Sequence, residues 1–175
     1  MSRALHSEFT DADLSPGLLL WRVTNAWQAA QRAALRPFDL THVQFVLLAS
    51  LAWRQGDHPV TQRQLAEHAG ADPMMTSQVL RNLEAKGLVE RQPHPTDARA
   101  RALAATRAGV DLANRANAAV EHVDRDYFAA LGDDGPAFTR MLAQLTHPYP
   151  RLGWPGVHLP EFFVVPHNDV RPTIG

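Results

Sequence analysis

Apolar positions along this chain recur mostly at helical spacing, and the period shifts to two after Gly87. Ser15-Pro16 marks a first helix start, a serine cap followed by the ring whose fixed φ suits the first helical position. From there Leu18, Trp21 or Arg22, Asn25, Ala29 and Ala33 continue to about Leu35, and Pro37 breaks the run. Thr41 with Gln44 forms a capping box, in which each side chain satisfies a free amide at a helix start. Phe45, Val46, Leu48, Ala49 and Ala52 carry that helix to about Trp53. A second box, Thr61 with Gln64, opens a short helix striped by Leu65, Ala66 and Ala69, and Gly70 stops it where a positive φ is cheap. Asp72-Pro73 is a strong restart. The next helix turns Met75 or Thr76, Val79, Leu80 and Leu83 inward, leaves Met74, Ser77, Gln78, Arg81 and Asn82 on its open side, and ends at Gly87.

Leu88-Val89-Glu90-Arg91 suits a brief strand, and Pro93-His94-Pro95-Thr96-Asp97 is punctuated like a turn, too proline-rich for a central strand. Arg99, Arg101 and Leu103 alternate with small alanines as in a returning strand. Thr106 then caps an alanine-rich helix from Gly109 to Leu131, with Leu112, Ala116, Ala119, Val120, Val123 and Phe128 as its inner stripe. Asp133-Asp134-Gly135-Pro136 opens a last helix carrying Phe138, Met141, Leu142 and Leu145. From His147 to Gly175, six prolines interleave with Tyr149, Trp154, Phe162 and Phe163, which rules out a long helix. Part of this tail is expected to pack in extended form on the helices or on a partner subunit, with residues 159–165 as a short strand or docking arm. The resulting division is an arm over 1–14, scaffold helices over 15–57, a two-helix unit with its hairpin over 58–106, further helices over 107–146 and the extension over 147–175.

Composition narrows the class. A chain of 175 residues, 45% hydrophobic and 20% charged, is that of one globular, soluble domain. It has no cysteine, which excludes disulfides, thiolate zinc sites and a thiol redox switch. No apolar run approaches the roughly 20 residues that span a bilayer, and the start lacks the apolar core of a signal peptide, so a cytoplasmic location is expected. The net charge of −1 hides a local excess. From Pro73 to Arg107, Arg81, Lys86, Arg91, Arg99, Arg101 and Arg107 stand against Glu84, Glu90 and Asp97, six minus three, or +3.

Helix, short turn, helix, strand, arginine-bearing hairpin, strand is the order of a winged helix-turn-helix. The run from Leu83 to Gly109 resembles the MarR family of bacterial transcription factors in particular. The matching marks are Leu83-Glu84 followed by Gly87-Leu88-Val89-Glu90-Arg91, the Asp97-Ala98-Arg99 of a wing, Thr106 with Gly109, and upstream Leu40-Thr41 with Gln44-Phe45. The likeness spans about residues 15 to 146. Arg107 stands where the family usually has proline, and the chain continues past the usual last helix. The resemblance implies a mainly α fold with a small β-hairpin wing, whose first and last helices interlock with those of a second subunit. It implies a dimeric regulator, commonly a repressor released from DNA by a small, often aromatic, ligand.

On that basis the helix from Pro73 enters the major groove, with Ser77, Gln78 and Arg81 at base edges and Met74 against a thymine methyl. Gln suits adenine and Arg guanine. Thr61, Gln62 and Arg63, at a helix amino end, would hold phosphate. Arg99 resembles the family's wing-tip arginine, with Asp97 orienting it or a neighbouring arginine, and Arg101 would touch phosphate or brace the strand. Twofold symmetry predicts a pseudopalindromic operator. Candidates for lining an effector pocket are Trp21, Trp27, His42, Phe45 and Trp53.

Other classes fit less well. Nine histidines raise a metal-responsive regulator, yet no H-x-x-x-H pair falls on an expected helix, and His122 with Asp126 is the i, i+4 pair of ligand types. No nucleophile elbow, phosphate loop or metal motif is present, so no enzyme, cofactor or metal site is expected. A winged helix used only for protein contacts would be marked by DNA binding that ignores the loss of Arg81 and Arg99.

Overall fold

The local helix signals act as expected in the computed structural model, which describes residues 6–54, 59–93 and 101–146. Ser15 caps α1 (Pro16–Leu35), accepting from the Leu18 amide. Both capping boxes close: Thr41 and Gln44 at the start of α2 (His42–Trp53), Thr61 and Gln64 at the start of α3 (Gln62–Ala69). Gly70 takes the left-handed conformation, φ 59°, that ends α3. Asp72 then accepts from the Met75 amide at 2.9 Å and starts α4 (Pro73–Ala85). Gly87 leaves α4 at φ 68°, with the Leu88 amide closing back on the Leu83 carbonyl at 2.9 Å. This is a Schellman-type stop, and it aims the chain into the sheet.

The sheet is antiparallel and three-stranded, in the order β1 (Val60–Thr61), β3 (Arg101–Ala105), β2 (Val89–Pro93). The sequence pattern missed β1, whose two residues are too few to show a period. It also placed Pro93 in the turn, whereas Pro93 pairs with Arg101 at the end of β2. An edge strand's end accommodates a residue without an amide hydrogen. The helix after the sheet, α5 (Arg107–Phe128), is capped by Thr106 accepting from Gly109, and a short 3-10 stretch leads into α6 (Gly135–Thr146). Arginine at the first position of α5 serves as well as proline.

α2 sits at the centre. Leu47, Leu48 and Leu51 are fully buried, in one core with Leu35 of α1, Leu65 of α3, Leu80 and Leu83 of α4, Leu103 of β3 and Ala116 of α5. Of the two alternatives for the inner face of α4, Thr76 is the buried one, its hydroxyl donating to the Asp72 carbonyl at 2.8 Å, while Met75 is 40% exposed. The expected inner stripe of α1 is corrected. Trp21, Arg22, Asn25, Ala29 and Ala33 face outward, and the helix instead buries Gln31 and Leu35, with Thr24, Trp27 and Ala34 half-buried. A polar partner on α5, Asp124, draws the Gln31 face inward. On α6 no residue is buried.

Candidate functional site

The outer face of α4 and a cleft beside α2 are open surfaces that the core does not explain. The inner side of α4 is anchored by Leu80 and Leu83, which leaves Met74 (83% exposed), Gln78 and Arg81 open, with Ser77 half-buried between them. Arg81 donates to the Gln78 side-chain oxygen at 2.6 Å and to the Ser77 hydroxyl at 3.2 Å. Thr61 is engaged in its own capping box, Gln62 is half-buried, and exposed Arg63 pairs with Glu67 at 2.7 Å. Arg101 is exposed at the start of β3. Asp97 and Arg99 lie outside the described residues.

Two struts that sequence pattern did not show fix α4 in place. Arg91 of β2 reaches Glu84 of α4 at 2.7 Å, with both side chains about one-third exposed or less, and ties the wing strand to the helix. Lys86, just past α4, meets the Asp39 carboxylate at 2.7 Å and its carbonyl at 2.5 Å. Asp39 holds φ 51°, a left-handed turn that aspartate tolerates better than most residues, at the corner between α1 and α2. Both links join residues from separate elements, and neither leaves a periodic trace in the sequence. At the other end of the sheet, Thr106 donates to the Gly87 carbonyl at 2.8 Å. A Cβ on Gly109 would overlap the Leu88 carbonyl oxygen, so the start of α5 approaches the link between α4 and β2 at a position that only glycine fits.

The second place lies where α2 meets the α3–α4 turn. A half-open cleft of about 200 Å³ runs between His42, Val43 and Val46 on one side and Gly70 and Ala71 on the other, with Met75 of α4 at its edge. The His42 ring packs edge-on against Trp27, with centroids 5.0 Å apart. Behind it, Asp124 of α5 accepts from Trp27 Nε1 at 2.7 Å and from Gln31 Nε2 at 2.6 Å, both on the same oxygen. The Gln31 side-chain oxygen is buried without a partner. Burial holds the His42 imidazole below its ordinary pKa, opposed by nearby Asp124 and helped by Arg32. Burial likewise lifts the Asp124 carboxyl, against the two hydrogen bonds and His42, with Glu121 adding to the rise. At neutral pH the wall that His42 gives the cleft is therefore uncharged.

Of the residues expected around an effector, the structure brings Trp27 and His42 together. Of them His42 lines the cleft; Phe45 lies in the core, Trp27 packs against His42 outside the lining, and Trp21 and Trp53 are exposed and also outside it. Asp124 and Gln31 were missed, because their partners lie more than 90 positions away in the chain. His122 and Asp126 form an exposed pair at 3.3 Å, and among the described residues no cluster of three or more metal-ligating side chains occurs.

A short helix, a turn and a second helix with an open polar face, backed by a β-hairpin braced to that helix, define a winged helix-turn-helix protein. Comparison with known proteins makes the class specific. Residues 40–100 match the model of the MarR family. The HTH-type transcriptional regulator YdcH of Bacillus subtilis is 44% identical over 126 residues, 71% of this chain and 86% of that protein. The HTH-type transcriptional repressor Rv2887 of Mycobacterium tuberculosis is 36% identical, over 77% of this chain and 96% of its own length. A crystal structure of Rv2887 with salicylic acid superposes with a TM-score of 0.60 at 34% identity, covering 77% of this chain and 98% of that one. The crystal structure of CouR from Rhodococcus jostii bound to p-coumaroyl-CoA gives 0.70 at 31% identity, over 79% and 94% of the two chains. The chain belongs to the MarR family and is a winged helix-turn-helix transcriptional regulator. No helix among the described residues is long and apolar enough to cross a membrane.

Proposed function

We propose that this regulator is a homodimeric repressor that seats α4 in the DNA major groove and leaves its operator when a small ligand enters the His42 cleft. The observation that carries the DNA reading is the open face of α4. Met74, Gln78 and Arg81 project from a helix whose other side is locked into the core, beside a wing strand tied to it by Arg91 and Glu84. A rigid rod of this kind fits a groove about 12 Å wide. Arg63 and the amides at the start of α3, with Arg101, serve the flanking phosphates, and Arg99 serves the minor groove, with Asp97 orienting it or a neighbouring arginine. Pairing of two chains is supported by the apolar surface that one chain leaves open: Leu19, Leu20 and Trp21 on α1, and Met141 and Leu145 on α6. Two copies related by a twofold axis would read half-sites about 10 base pairs apart.

Release by a ligand is supported by the position of the cleft. Its floor is the turn that joins α3 to α4, and Met75 at its edge is the neighbour of Met74 on the groove side. A molecule wedged there presses on the first turn of α4 and tilts the reading helix. Relatives have been crystallised with salicylic acid and with p-coumaroyl-CoA, which favours an aromatic effector here. The test is fluorescence anisotropy with a duplex selected from a random pool, repeated with single-ring aromatic compounds. Binding to a twofold-symmetric site, weakened by a compound in the wild type but not in Ala71→Trp, supports both halves. Binding without base preference sinks the repressor reading, and release by a compound that is indifferent to Ala71→Trp moves the effector elsewhere.

A further inference from the structure

Residue types alone assign Gln78 to adenine and Arg81 to guanine, as independent readers. The geometry joins them. Arg81 Nη2 donates to Gln78 Oε1 at 2.6 Å, and Nη1 donates to Ser77 Oγ at 3.2 Å, three and four residues back along the same helix. A guanidinium has five N–H donors in a fixed fork. With one hydrogen on each terminal nitrogen spent on the helix, each keeps one, so donors remain for the O6 and N7 of a guanine edge.

Gln78 is changed more than Arg81. Reading adenine requires its amide to lie along the base edge, oxygen toward the N6 amino group and nitrogen toward N7. The amide oxygen has a second lone pair, but the bond to Arg81 lays the side chain along the helix. It also sets a cationic donor 2.6 Å from the oxygen that the N6 amino group, itself a donor, would have to approach.

We propose that Gln78 is a positioning residue for Arg81 and does not read adenine: with Ser77 it holds the guanidinium as a preformed guanine reader, so that a G·C pair is the dominant constraint that this part of α4 places on each half-site. This rests on the reading of α4 as the groove helix. Holding Arg81 in place before binding avoids the ordering of a long side chain on DNA, which makes Gln78 worth roughly two- to tenfold in guanine preference.

The experiment is selection from a random duplex pool with the full chain, comparing wild type, Gln78→Ala, Gln78→Glu and Arg81→Ala. The Gln78→Glu variant keeps an acceptor for Arg81 but has no donor for adenine N7. The expected result is a guanine column in each half-site that Arg81→Ala abolishes, Gln78→Ala weakens two- to tenfold, and Gln78→Glu retains even as total affinity falls. An adenine column that disappears in both Gln78 variants while the guanine column stands would overturn the proposal. A wild-type pool without twofold enrichment, or an Arg81→Ala pool identical to wild type, would instead remove the groove reading, and the role of Gln78 with it.

Discussion

Asp124 places one oxygen between two donors, Trp27 and Gln31, while the Gln31 oxygen beside it has no partner. Its carboxyl is raised by burial, so its contribution to stability is complete below the ordinary value near 3.9 and is lost as pH rises through the folded-state value. At neutral pH the ionised group is then a cost. Asp124→Asn keeps the accepting oxygen and adds a donor for Gln31, so it should need more denaturant than wild type to unfold at pH 7. That gap should close toward pH 4, and lower stability of the variant at pH 7 would contradict this assignment. His42 runs the other way: lowered by burial, it supports stability above about pH 6.5 that is lost on acidification. His42→Phe should flatten the fall in the unfolding midpoint below that pH. Gly109→Ala meets the Leu88 carbonyl and should cost about 1–3 kcal/mol or more by calorimetry, whereas Gly17→Ala, with open space around it, should not.

Helix starts and stops were the legible elements, because a cap or a turn glycine acts within four residues. Thr41 with Gln44, Thr61 with Gln64, and Asp72-Pro73 were readable as text, and Gly70 and Gly87 as its punctuation. Asp72→Ala should lower stability by about 1 kcal/mol, and should weaken DNA binding further by fraying the first turn of α4, which bears Met74. A duplex titration beside a urea melt separates the two effects. Which face α1 buries was not legible. Leucine and tryptophan at its outer positions look like core by periodicity, yet the helix turns Gln31 inward because Asp124 waits there on α5. Two-residue β1 was invisible for lack of length, and the pairs Glu84–Arg91 and Lys86–Asp39 because nothing local to either partner demands them. For the site, the open face of α4 followed directly from its inner stripe, while the cleft required knowing that α2 crosses the α3–α4 turn.

At the scale of the whole molecule, a single chain leaves Leu20 (53% exposed) and Leu145 (58% exposed) open on the two helices expected to pair. Leu20→Glu and Leu145→Glu together should shift the sedimenting species from twice the chain mass to the chain mass, and should weaken operator binding by about tenfold or more. With a net charge of only +3 from Pro73 to Arg107, DNA binding should depend on such doubling, and its affinity should fall steeply with salt. Repression, base preference and release all require α4 to lie in the major groove. Dimethyl sulfate attack at guanine N7 on a bound, selected duplex tests that contact most directly. Two protected patches about one helical turn apart are predicted, each losing protection at one guanine in Arg81→Ala. Full reactivity of every guanine N7 across the bound site would contradict it.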